Sequence, residues 1–206
     1  MIQYVARLLS GFLLFSTILA LAGCVGRSSP QVSYFSLLTI EQLGNAQAIG
    51  AHPEVKLGIS PVTIPESLKR SQVATRQHGN QFEFSEFNRW AGVLERDIAA
   101  VVGDNLGVLL GIEKVDYFPW MLHFEPNYRV EIDIQRLDGS LGGEAALIVR
   151  WAVGDATGKE FLAGGRNVFR QPLESSSYAA LVKAESILVA ELSKKLAGEI
   201  DRLIGK

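Results

Sequence analysis

Between residues 55 and 64 apolar and polar positions alternate, with Val55, Leu57 and Ile59 set against Lys56, Gly58 and Ser60. That period of two predicts a half-buried strand, and Pro61 and Pro65 punctuate its exit. Similar signals predict a short strand over Tyr34 to Leu38, and strands over 72–76 and 81–84 around a His78-Gly79-Asn80 turn. From Asn88 to Leu110 the period changes: Trp90, Leu94, Ile98, Val101, Val102, Leu106 and Leu109 recur at three and four. This predicts a helix that Asn88 or Ser85 would cap and Gly111 would stop. A short strand is expected over 115–117. Val130, Ile132 and Ile134 then alternate with charges over 129–137, 145–153 is more continuously apolar, and 160–170 completes an antiparallel meander. Ser175 to Ser177 offers cap chemistry for a last helix. Its apolar face carries Leu181, Leu188, Leu192, Leu196 and Ile200, and its polar face is expected to carry Lys183, Glu185, Glu191, Lys194, Lys195 and Glu199. Two amphipathic helices need a partner surface, which a sheet with one apolar face supplies. The expected fold is therefore α+β, a mainly antiparallel sheet packed on one face by two amphipathic helices, in a single domain over 34–206.

The first 23 residues have a different pattern. Arg7 precedes an apolar stretch from Leu8 to Leu21 that Ser10, Gly11, Ser16 and Thr17 interrupt, as in a secretion signal. A bilayer span needs about 20 predominantly apolar residues, more than this stretch offers. It ends in Leu21-Ala22-Gly23-Cys24, which resembles the lipobox of bacterial lipoproteins, and Cys24 is the only cysteine, so no intramolecular disulfide competes for its thiol. Residues 1–23 are thus expected to be removed, and Cys24 to carry a diacylglyceryl group and an N-acyl chain such as palmitate. The lipoprotein resemblance also implies a location: in that family an Asp after the cysteine favours the inner membrane, and Val25 in its place implies the periplasmic face of the outer membrane. Residues 24–33 hold the lipidated cysteine and a tether of small and polar residues with Gly and Pro. Nine residues reach at most about 30 Å.

Composition narrows the classes further. The chain has 20 basic and 22 acidic residues, and loss of Arg7 with the signal makes the net charge one unit more negative than −2. With both signs interspersed, neither a nucleic-acid surface nor a polybasic membrane patch is indicated. What remains after cleavage is still long enough for a domain that buries roughly 70% of its unfolded surface.

Catalytic and metal chemistry finds little support. His52, His78 and His123 are scattered among loops and turns without Cys or carboxylate neighbours at ligand spacing, so solvated or packed roles are expected. The segment from Gly154 to Glu160 fails as a phosphate loop, because its glycines are four apart and Glu160 stands where a Ser or Thr must reach magnesium. No Gly-x-Ser-x-Gly or His-Glu-x-x-His motif occurs. Glu131 and Asp133 share a strand face, which suits a solvated sheet better than a general acid and base. No enzyme, metal or further cofactor is expected. The remaining feature is the proline-bracketed run Phe118 to Pro126. Phe118, Trp120, Met121, Leu122 and Phe124 either form core beneath a loop or face a partner or membrane; Phe118, Trp120, Met121 and Phe124 are the candidate contact residues.

Several segments in order resemble the PqiC/YmbA family, auxiliary lipoproteins of ABC-type transport systems. They are Tyr34-Phe35-Ser36-Leu37, Gly58 to Pro65 with Leu68 and Arg70, Gln72 to Arg76, Asn88-Arg89-Trp90-Ala91 with Leu94, and Tyr128-Arg129-Val130 with Trp151. Ser71 departs from a proline and Gly92 from an acidic residue, both at expected surface positions. The resemblance implies an outer-membrane lipoprotein that docks an MCE-domain protein bridging the periplasm and so assists lipid transport, and it implies a homo-oligomeric ring. A structural or assembly lipoprotein, a plug or chaperone of another outer-membrane complex, is the alternative. A periplasmic hydrolase would need a polar cleft that no motif here announces.

Overall fold

The computed structural model describes residues 30–77 and 80–205. The expected signal, Cys24, most of the tether, and His78-Gly79 of the expected turn lie outside the described residues. Eight strands form one sheet: β1 (Ser33–Phe35), β2 (Lys56–Ile59), β3 (Gln72–Arg76), β4 (Phe82–Trp90), β5 (Lys114–Tyr117), β6 (Tyr128–Gly139), β7 (Glu144–Gly154) and β8 (Phe161–Pro172). Among the described residues two α-helices, α1 (Leu94–Leu110) and α2 (Tyr178–Ile204), complete the α+β fold.

The meander β6-β7-β8 is antiparallel and forms the long ladders of the sheet. Opposite β7, the other edge of β6 is shared. Its first residues pair in parallel with β2, which pairs in parallel with β5, whereas Gly139 at its far end meets Thr75 of β3, which continues to β4 and β1. Both β1 and β5 are therefore outermost strands on the side of β6 away from β7 and β8.

One sheet face is apolar because alternate residues repeat there: Val130, Ile132 and Ile134 of β6 and Leu147, Val149 and Val153 of β7 are buried. A bulge between Ile134 and Arg136 resets the phase, so Leu137 is also buried. Against this face pack Ile98, Val102, Leu106 and Leu109 of α1 and Leu181, Leu188, Leu192, Leu196 and Ile200 of α2. Helix α2 starts at Ser177, whose hydroxyl accepts from the Ala180 amide, and α1 ends at Gly111 with φ of 60°, a left-handed stop that glycine adopts without penalty.

The structure corrects three expectations. Helix α1 begins at Leu94, not near Asn88: Asn88 and Trp90 belong to β4, where the Trp90 amide donates to the Ser71 carbonyl and the Ala91 amide to that of Phe35. Ser85 caps no helix and instead accepts from the Asn88 amide, and the residue ahead of α1, Val93, provides no side-chain cap. Strand β1 ends at Phe35, short of the expected Leu38. The following amides turn to the helices, Leu37 donating to the Asp97 carboxylate, Leu38 to the Ser186 hydroxyl and Ile40 to the side-chain oxygen of Asn105, at 2.8, 3.0 and 2.7 Å. Burial holds the Asp97 pKa above the ordinary carboxylate value, opposed by that amide. Finally, Glu185 is buried on the apolar side of α2 rather than exposed on its polar face.

Fully buried Asn105 also donates to Ser193 of α2 at 3.1 Å, so one side chain joins the N-terminal segment to both helices. Asn105→Leu leaves the Ile40 amide buried without an acceptor, at a cost of about 1–3 kcal/mol. Urea unfolding should show that loss as a lower midpoint with the denaturant slope unchanged.

Candidate functional site

The proline-bracketed run forms a loop that leaves the end of β5 and doubles back to the start of β6. The Phe118 amide donates to the Ile59 carbonyl at 3.0 Å, and the Asn127 amide donates to that of Lys56 at 2.8 Å, so the loop runs back along β2. It starts with a cis Phe118–Pro119 bond, and His123 takes φ of 69°. Asp116 fixes it from the strand, one carboxylate oxygen accepting from its neighbour's amide at Tyr117 and the other from Met121, each at 2.8 Å.

Gly58 of β2 determines how the loop sits. Its side-chain position points away from the buried Leu57 and Ile59, and a Cβ there would stand 2.9 Å from the Trp120 ring and 3.1 Å from Pro126. Only glycine lets the indole lie this close to the strand. The Trp120 ring meets Phe118 edge-on at 5.5 Å and Phe124 at 6.2 Å between centroids, while the Arg129 guanidinium lies 5.7 Å from its centroid. The Arg129 Nε is buried without a hydrogen-bond partner among the described residues.

The run is thus divided. Trp120 and Phe124 are half-buried and seat the loop, whereas Phe118, Met121 and Leu122 are 56%, 74% and 87% exposed. Two of the four candidate contact residues, Phe118 and Met121, face outward; Trp120 and Phe124 hold the platform beneath them. Gly58, Arg129 and Asp116 complete the arrangement and carry no local signal of that role.

Two grooves flank the loop. One, of about 520 Å³, lies on the sheet face turned from the helices, beside Trp120, with Arg129, Glu131, Asp133 and Arg150 along it. Asp133 and Arg150 face each other at 3.9 Å, as suits a solvated, charge-paired sheet face, whereas Trp151 lies on the helix side with Val149 and Val153, where its indole donates to Asn167 at 2.8 Å. The other, of about 530 Å³, lies between the start of α1 and the end of β5, where Val93, Tyr117 and Phe118 meet. Tyr117 packs its hydroxyl against Gly103 of α1, within 3.3 Å of the Ala100 carbonyl and the Asp104 carboxylate. Burial first, then the Asp104 charge, pushes its pKa up to about 12.

Of the histidines, His52 lies 2.7 Å from the Asp201 carboxylate and His123 is exposed in the loop. No group of three or more His, Cys, Asp or Glu among the described residues is placed to hold a metal ion. Asp155 occupies a turn, where the Glu160 amide, the Thr157 hydroxyl and the Lys159 amide donate to it and hold its pKa near about 2. That ring of donors is what a β-turn provides, as expected for the segment from Gly154 to Glu160. No described helix is long and apolar enough to cross a membrane.

Solved structures share the fold. A crystal structure of an uncharacterised protein superposes with a TM-score of 0.66 at 18% identity, covering 82% of this chain and 99% of its own. A Xanthomonas campestris protein of the DUF330 family gives 0.66 at 12% identity, covering 81% and 93%. No curated protein matches in sequence. A family model matches residues 35–197, from the end of β1 into the last turns of α2, so it spans every strand and helix that builds the site. The chain belongs to the family of ABC-type transport auxiliary lipoprotein components, to which its PqiC/YmbA-like segments had pointed.

Proposed function

We propose that this protein is held by acylated Cys24 at the periplasmic face of the outer membrane, and that it docks the MCE-domain protein of an ABC-type lipid transport system there. The observation that carries this reading is the family match over 35–197, with the chain's only cysteine directly behind a secretion signal. The role is one of binding, not catalysis. An MCE assembly provides a hydrophobic conduit, and its end must be positioned against a membrane. A folded body tethered through nine residues, reaching at most about 30 Å, raises the effective concentration of its docking surface at that membrane. A ring of several copies would multiply the contacts without requiring each to be strong.

The test is retention of the MCE-domain protein encoded with the same transporter on the purified acylated chain. Retention in detergent is expected, together with recruitment of the partner to vesicles that carry the chain. Shortening the segment between Cys24 and Ser33 should reduce recruitment to vesicles more than binding in detergent. No retention under either condition sinks the docking role and leaves family membership untouched.

A further inference from the structure

The loop from Phe118 to Phe124 sits on the same side of β6 as β1, the first strand of the fold. Strands β1 and β5 are both outermost on the side of β6 away from β7 and β8, and the chain enters the fold at β1. Phe35 pairs with Trp90, and Val93 follows three residues later, a span of at most about 11 Å. Val93, exposed, lines the groove that Phe118 closes. Tyr34, on β1 itself, is exposed as well. Five exposed apolar or aromatic side chains, Tyr34 on β1, Val93 ahead of α1, and Phe118, Met121 and Leu122 after β5, thus lie on the side of β6 where the chain enters the fold.

Two further observations select lipid as the occupant. The loop contains no Asp, Glu, Lys or Arg between Tyr117 and Glu125, so no fixed charge must be dehydrated when its tip leaves water. Its exposed residues stand on a Trp120 platform seated against Gly58 and held through Asp116, so they are presented without an added ordering cost. Met121 and Leu122 are also neighbours at the tip, as in a shallow wedge, instead of being spread over the flat area of more than about 1,000 Å² that a stable protein interface occupies.

We infer that this loop is a second membrane contact: Phe118, Met121 and Leu122 enter the interfacial layer of the phospholipid bilayer that holds the acyl chains, and fix the orientation of the domain on it. The inference rests on acylation of Cys24. A flexible tether limits distance but not rotation, whereas two contacts on one side of the sheet limit both.

Leu122→Cys gives a direct reading, because acylation occupies the only native thiol and Leu122 is too exposed for its loss to disturb the fold. The acylated variant is labelled with a thiol-reactive nitrobenzoxadiazole dye and reconstituted in vesicles of phosphatidylethanolamine and phosphatidylglycerol. Val168→Cys, on the opposite strand β8, serves as the comparison. The expected result is a blue-shifted, several-fold brighter emission at position 122 that spin-labelled lipid quenches, with neither change at 168. A chain that floats with the vesicles while its label at 122 remains in water overturns the loop contact and leaves the anchor standing. A shifted emission that spin-labelled lipid does not quench assigns the loop to a protein neighbour, a second copy or a partner, and also overturns it. A chain that does not float overturns the acylation reading, and this inference with it.

Discussion

A chain carrying Cys24→Ser, exported behind a leader that the general signal peptidase removes, should be recovered wholly in the soluble periplasmic fraction. Each buried methylene of an acyl chain contributes about 0.8 kcal/mol to membrane partition, and a single chain binds only marginally, so stable anchoring takes more than one. Thioether-linked diacylglyceryl with an N-acyl chain meets that requirement; a serine hydroxyl at position 24 accepts none of them. The loop cannot substitute, since its three exposed apolar side chains amount to a contact weaker than one full acyl chain. Fractionation with immunodetection measures the outcome, and intact mass of the native protein reports the acyl groups directly. Persistent membrane recovery of the serine variant after a high-salt wash would show that a partner or the folded body, and not Cys24, dominates attachment.

Much of the fold was legible because local patterns and tertiary demands agree. The meander follows from alternation in 129–137 and its two turns, and α2 from its apolar repeat behind Ser177. Where the two disagree, expectation and structure part. Trp90 stands four residues before Leu94 and so extends the helical repeat, yet its amide is claimed by Ser71 just ahead of β3, and Gly92, costly inside a helix, separates the elements. The end of β1 is decided by Asp97, Ser186 and Asn105, which lie 60, 148 and 65 residues from the amides they satisfy; no window along the chain contains both partners. Glu185 carried a signal that its charge obscured, since it lies four residues after Leu181 and three before Leu188, within the apolar stripe. At the site, the proline-bracketed apolar run marks the loop, but which side chains seat it and which are presented depends on Gly58, some sixty residues earlier. The family was readable from the ordered segments, as the family match shows, whereas the expectation at residues 21–24 lies outside the described residues.

Asp138→Ala should destabilise the protein by about 3 kcal/mol, and Glu185→Gln should stabilise it with increasing effect as pH rises. Asp138 is buried at the end of β6 and accepts from Arg76 through both carboxylate oxygens, at 2.9 and 2.7 Å, and from Arg136 Nε at 2.9 Å. Removing one partner of a buried pair costs about 3–5 kcal/mol, because the other charge is left without compensation. Here both arginines retain about a quarter of their side-chain exposure and can partly rehydrate, which favours the lower end. Glu185 has the opposite sign. It is fully buried, one of its oxygens has no hydrogen-bond partner among the described residues, and burial, reinforced by the Asp138 charge, raises its pKa well above the ordinary Glu value of 4.5. The folded chain therefore holds a proton that the unfolded chain releases near pH 4.5. Stability from this group is complete below that pH and declines as pH rises through the folded value. Glutamine keeps the shape without the proton to lose, so the difference in thermal midpoint between Glu185→Gln and wild type should grow between about pH 5 and pH 8. The carboxyls with lowered pKa, Asp155 and Glu199, act in the acid range and cancel in this difference, since both proteins contain them. A midpoint difference that stays flat across that range would show that Glu185 is ionised in the folded protein, with a counter-charge beside it.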